Sequence, residues 1–295
     1  MSQRKLKTLI VPGEAGKIDY LYKTVGKDDN RDNQVEFFFS PSSPNYIGNF
    51  DNFAPIISAH SYFTVWPVAE QVKSRKALAE KMKSVNPNLG YWQSEYCILE
   101  NNDEVGQGNR RDLGMPTALF VARIIHNDLT ICNARSWQWW TAITESDYKD
   151  GLIYLDSGTE QKVGQMGDHI QSLQFNGTAR DSKLMWALGN YSRFIRPGMQ
   201  RVQAELTNGT GIGIGPNHEK IMVSAYSSPD TKKLVVVLVN VEPVGLIINS
   251  LIKDNSMKGL MYLTSEGKNL EISEIVGSNI EIPARSVATL CYTIE

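Results

Sequence analysis

Two kinds of hydrophobic patterning follow one another along this chain, and together they restrict what it can fold into. Up to about residue 150, short apolar runs alternate with stretches of helical spacing. KTLIVP (7–12), PIISAHSYFT (55–64), GYWQSEYCIL (90–99) and SWQWWTAI (136–143) read as strands, and VEFFFS (35–40) is a further short apolar run. Between them, residues 67–84 place Val68, Ala69, Val72, Leu78, Ala79 and Met82 at helical spacing. PTALFVARIIHNDL (116–129) carries Pro116 at a first-turn position and a dense apolar face, which predicts a buried helix. Strand, helix, strand, helix is the pattern of parallel βα units.

The second texture is all β. GLIYLD predicts one more strand, and SKLMWALGNYSRFIRPGMQRV (182–202) a helix capped by Ser182 and stopped at RPG. From 205 onward IMVSAYS, KLVVVLVN, GLIINS, GLMYLTS and IEIPARSVATLCYTI are short β-branched runs divided by turn residues, which predicts a sandwich. The expected division is therefore 1–204, an α/β domain, and 205–295, a β-sandwich.

Composition removes several function classes. Thirty basic residues stand against 32 acidic ones without a basic stripe, so nucleic acid is not an expected partner. No run reaches the ~20 apolar residues of a membrane span. The apolar run TLIV is too short for the core of a signal peptide, so the chain as given carries no expected export signal. Cys97, Cys132 and Cys291 are an odd count with no CxxC pair, and each lies in an apolar run, so they read as small buried thiols. His126, His169 and His218 have no metal-ligand spacing, and neither a metal nor a cofactor is expected. GTGIGIGP (209–216) precedes a β region rather than opening a helix, so it reads as a turn and not as a dinucleotide fingerprint.

Catalytic groups of a parallel βα barrel sit at the C-terminal ends of strands. There the sequence places Glu95 at the end of YWQSE, His60 and Tyr62 at the end of PIISAHSY, and Trp137, Trp139 and Trp140 on SWQWW. A carboxylate in a pocket walled by indoles suits sugar chemistry, because indole faces stack on the C–H faces of a pyranose while polar groups fix its hydroxyls. Each feature also has a plain reading: Glu95 as a surface ion-pair partner, His60 as a satisfied core histidine, the tryptophans as packing. Their coincidence on consecutive strand ends favours a site.

The words AHSY, YWQSEYCILE, RRDLGM, ARIIHNDLTICNARSWQWWTAI, YSRFIRPGM and IPARSVATL, in that order, closely resemble glycoside hydrolase family 30, in particular bacterial members related to endo-β-1,6-galactanases and xylanases. The resemblance implies the C-terminal half of a (β/α)8 TIM barrel, strands five to eight, followed by a β-sandwich side domain. It implies a retaining O-glycosyl hydrolase acting on β-linked polysaccharide such as β-1,6-galactan, β-1,6-glucan or xylan. Glu95 matches the family nucleophile, and His60, Tyr62, Trp92 and Trp137 match or neighbour its substrate-contacting positions. One departure is serious: the family's acid/base lies in an Asn-Glu-Pro stretch, and this sequence contains none. Glu14 is the nearest upstream carboxylate, and it matches a substrate-side or structural position better than an acid.

From that departure the chain by itself is expected to be a very poor hydrolase. Three readings remain: a C-terminal portion of a secreted or periplasmic glycosidase that works with an N-terminal half, a carbohydrate-binding protein without turnover, or a half barrel that pairs its open edges as a homodimer.

Overall fold

The structure is a computed structural model and describes residues 7–24, 31–156, 177–207, 219–228, 230, 232–249 and 259–293. GTGIGIGP, His169 and His218 lie outside the described residues. The chain forms two compact units, Met1–Gly108 with Asn127–Thr141, and Asn109–His126 with Ala142–Glu295.

The first unit is built on four strands, β1 (Gly13–Ala15), β2 (Ile56–His60), β3 (Gly90–Glu95) and β4 (Ser136–Trp137). They pair in sequence order and every pair is parallel. Parallel neighbours cannot be joined by a tight turn, so a crossover must separate them. Between β1 and β2 stand the short helices α1 (Asp19–Tyr22) and α2 (Gln34–Phe39), between β2 and β3 stands α3 (Val68–Val85), and between β3 and β4 stands α4 (Met115–Thr130). The expected βα alternation is thus present, with local differences. KTLIVP makes a single bridge, Ile10 with Phe53, and the β1 ladder falls just beyond it. The apolar run VEFFFS coils into α2, burying Val35 and Phe39.

Side chains alternate across each strand. Ile57 and Ala59 of β2 and Tyr91 of β3 point into a core completed by Ile18, Leu21, Val35, Phe39, Leu78 and Met82. The intervening positions, Ser58 and His60, Trp92 and Ser94, consequently share the other face. On α3 the buried stripe is Val68, Gln71, Ser74, Arg75, Leu78 and Met82. Its spacing is that of a helix face, but half of the stripe is polar.

In the second unit, six strands run in the order β13 (Lys268–Ile275), β12 (Gly259–Ser265), β15 (Ser286–Thr293), β10 (Lys233–Asn240), β9 (Ile221–Ser228), β8 (Gln200–Val202), all antiparallel. A two-stranded ribbon, β11 (Leu246–Asn249) with β14 (Asn279–Ile282), brings Leu246, Ile248, Ile280 and Ile282 into one core with Leu238, Leu263, Ala288 and Leu290 of the larger sheet. Thr289 lies between Ala288 and Leu290 and so faces the opposite side. There it meets α5 (Lys183–Ser192): Asn190, fully buried, donates to the Thr289 hydroxyl at 2.9 Å and to the Tyr262 carbonyl at 3.0 Å, while Thr289 donates back to the Asn190 carbonyl at 2.6 Å. Ser182 caps α5 as expected, accepting from the Met185 N–H at 3.2 Å. A smaller sheet joins β5 (Ile143–Thr144), β6 (Ile153–Asp156) and β7 (Thr178–Asp181).

Ile57 is fully buried in the core of the first unit. Ile57→Ala removes apolar contacts and leaves a cavity, so urea denaturation should show a loss of about 2–5 kcal/mol.

Candidate active site

The parallel pairing aligns the C-terminal ends of β1, β2 and β3, and the ionisable side chains gather there. Glu95 is the last residue of β3 and stands in register with His60, the last residue of β2. Tyr62 follows two residues later, almost buried, and its hydroxyl donates to Glu95 Oε1 at 2.9 Å. Burial first, then Cys97 and Glu95 alongside, push the Tyr62 phenol far above its ordinary range. It therefore remains a hydrogen-bond donor to the carboxylate at any physiological pH. His60 presents Nδ1 to the same Glu95 oxygen at 3.5 Å, and its ring meets the Tyr62 ring edge-on, with centroids 5.4 Å apart. The Glu95 side chain keeps 30% of its exposure, so a solute can reach it.

A second carboxylate belongs to this group. Glu14 Oε1 lies 2.7 Å from His60 Nε2 and accepts from the Ser94 hydroxyl at 2.7 Å, while Oε2 accepts from the Ser58 hydroxyl at 2.8 Å. Burial raises its pKa, but the hydrogen bonds from Ser94, Ser58 and His60 outweigh burial and hold the carboxyl below its ordinary value of 4.5. The carboxyl is thereby favoured in its charged form.

The indoles approach from the next strand. Trp137 ends β4, and its Nε1 donates to Asp128 Oδ2 at 2.9 Å. Trp139 stacks on Trp137 with centroids 6.3 Å apart and planes 14° from parallel, and it also meets Tyr96 edge-on. Trp140 is 54% exposed. Trp92 lies on the same face of β3 as Ser94, paired in register with Ser58 and Ser136, so it belongs to the face that carries the site but sits deeper along it.

Beneath the site lies a pair of charges to which sequence reading assigned no role. Arg75 of α3 and Asp128 of α4 are completely buried and 2.7 Å apart. Asp128 also holds the Trp137 indole, and the Arg75 guanidinium donates to the Ser61 hydroxyl at 3.1 Å and to Thr64 in the segment that leaves β2. Buried charges survive when every donor and acceptor finds a partner, and this network links two helices to the loop bearing Tyr62 and to the strand bearing Trp137. The available signal was faint: an arginine on the apolar stripe of α3 and an aspartate near the end of an apolar helix. Ser58 and Ser94 had a clearer one, since they occupy the same alternate positions as His60 and Trp92.

The family description O-Glycosyl hydrolase family 30 matches residues 1–154. Over 258 residues the chain is 24% identical to the glucuronoxylanase XynC of Bacillus subtilis (strain 168), covering 84% of this chain and 47% of that protein. A conserved exported protein from Bacteroides fragilis is 32% identical and superposes over 98% of this chain and 56% of its own length, with a TM-score of 0.83. A family 30 endoxylanase from Clostridium papyrosolvens C71 shares the fold at 18% identity and a TM-score of 0.52, over 82% of this chain and 50% of that one. The chain spans about half the length of these relatives.

Two outcomes follow from the geometry. Asp128→Ala leaves the Arg75 charge buried without its counter-ion, and denaturation should register a loss of about 3–5 kcal/mol. For Glu14 the sign is set by its lowered pKa: its contribution to stability is complete above the unfolded carboxyl value and is lost as pH falls through the folded one. The stability difference between the native protein and Glu14→Gln should therefore be constant near neutrality and shrink below the ordinary value of 4.5. Denaturant midpoints across a pH series measure it.

Proposed function

Because the chain belongs to O-glycosyl hydrolase family 30, we propose that it carries the nucleophile side of a retaining glycosidase acting on β-linked polysaccharide, with xylan the first substrate to test. The observation that carries this reading is Glu95: a partly exposed carboxylate at the C-terminal end of a parallel strand, fixed by the Tyr62 hydroxyl, with His60 beside it. In the proposed step, a Glu95 oxygen attacks the anomeric carbon, the C1–O bond to the leaving sugar breaks, and a covalent glycosyl-enzyme forms. The Tyr62 hydroxyl orients the carboxylate, and His60, Trp137 and Trp92 contact or neighbour the reacting sugar. The names of the xylanase relatives support xylan, and the exported relative supports an extracellular or periplasmic place of action. Among the described residues, no helix is long and apolar enough to cross a membrane.

In this reading β1 to β4 are strands five to eight of a (β/α)8 barrel, residues 1–204 form the catalytic part, and residues 205–295 form a sandwich-like side domain. Four parallel strands in sequence order support the first element. The proton that the leaving sugar needs has no candidate in Glu14, so polysaccharide hydrolysis by these residues alone is slow, and the acid belongs to an N-terminal half or to a partner that completes the barrel.

A second reading has its own observation. Without an Asn-Glu-Pro stretch, the same residues serve as a carbohydrate-binding site that turns nothing over.

The two separate with a substrate that needs no acid. A dinitrophenyl β-xylobioside expels a stable phenolate, so glycosylation of Glu95 proceeds unassisted. Mass spectrometry should find the added disaccharide on the peptide containing Glu95, with labelling reduced by on the order of 10⁴-fold or more in Glu95→Gln. Labelling of a different carboxylate would sink the assignment. Calorimetric binding of xylo-oligosaccharides without any adduct supports the second reading.

A further inference from the structure

Glu14 is held in a way that a surface carboxylate is not. Its backbone φ is +134°, a region L side chains rarely adopt, and it follows Gly13 at φ +86°. The β1–β2 ladder shifts register here: Gly13 pairs with Ser58 and Ala15 with Ala59, so Glu14 is the extra residue of a bulge. A bulge re-aims the side chain it carries. This one sends a carboxylate across the end of the sheet, where it collects donors from two further strands, Ser58 and His60 of β2 and Ser94 of β3. Its side chain remains 52% exposed, so burial did not force these contacts.

The consequence falls on His60. The carboxylate accepts the proton on Nε2, which fixes both the ring plane and the nitrogen left for other work. Nδ1 is the nitrogen turned toward Glu95, and the ring edge sets the Tyr62 phenol that donates to the same carboxylate. We propose that Glu14 is a positioning residue, which acts through His60 to hold the Tyr62–Glu95 pair in its reactive geometry. This rests on the preceding reading only for the role of Glu95.

The test uses the full chain labelled with ¹⁵N-histidine, with the His60 signals assigned by their loss in His60→Gln. In alkaline buffer, long-range ¹H–¹⁵N spectra should show the proton on Nε2. Glu14→Gly, which also relaxes the backbone at φ +134°, should release the ring to a mixture of tautomers. Glu14→Gln, whose amide oxygen accepts the same bond, should restore the Nε2 proton. In parallel, labelling by the dinitrophenyl β-xylobioside should slow by roughly 10- to 100-fold in Glu14→Gly with saturation unchanged, as expected for misplacement rather than lost binding. An unchanged His60 spectrum in Glu14→Gly overturns the proposal, as does a Glu14→Gln spectrum that matches it. If the tautomer responds and no variant is labelled, the positioning role stands and the glycosidase reading fails.

Discussion

Everything at the strand ends of the first unit leans on one ion pair that no solvent reaches. Arg75 and Asp128 are each completely buried, and neither charge could remain there without the other. Their remaining hydrogen bonds fan out to Ser61, Thr64 and the Trp137 indole, so a single electrostatic requirement fixes the loop after β2 and the end of β4 together. A purely apolar packing of α3 against α4 would have tolerated small slips of register. A charge pair that must satisfy Ser61, Thr64 and the Trp137 indole at once does not. The specificity of the scaffold thus comes from the polar half of the α3 stripe, while its bulk stability comes from Ile57, Leu78, Tyr91 and their neighbours.

Above that foundation the polar side chains at the strand ends form a series of short contacts, from Ser58 and Ser94 to Glu14, from His60 to Glu14, and from Tyr62 to Glu95. Its members come from three adjacent parallel strands, and only the lateral order of those strands brings them together. Two carboxylates share one imidazole, but they are not equivalent. Glu14 accepts three hydrogen bonds and is kept charged while half exposed, whereas Glu95 is the less exposed of the two and accepts from the Tyr62 hydroxyl.

Much of this was legible in the sequence, for identifiable reasons. The alternation of apolar runs with helical spacing predicted α3 and α4 to within a residue or two, because Val68, Leu78 and Met82 mark the buried face of α3 and α4 is densely apolar. A helical pattern behind the Ser182 cap marked the start of α5. Glu95, His60 and Tyr62 were singled out because they end consecutive strands, and the structure brings these three together. The failures have physical causes too. VEFFFS has strand-like composition, yet local hydrogen bonding closes it into a helix six residues long. Strand β13 was missed because it is a mostly exposed strand at one end of its sheet, whose short Leu270–Ile272 alternation stands among Lys268, Glu271 and Glu274. The bulge at Glu14 cannot be seen in the letters GEA, since it exists only in the mismatch between two registers.

The concealment of β13 has a second side. Among the described strands it stands at the end of the six-stranded order, and β8, with Gln200 and Arg201, stands at the other. Both outermost strands put charge or polarity where a neighbouring molecule would have to dock its own backbone. A second sheet pairing with β13 would have to desolvate Lys268, Glu271 and Glu274 to join ladders, so the charges that make β13 inconspicuous in the sequence also guard its open side.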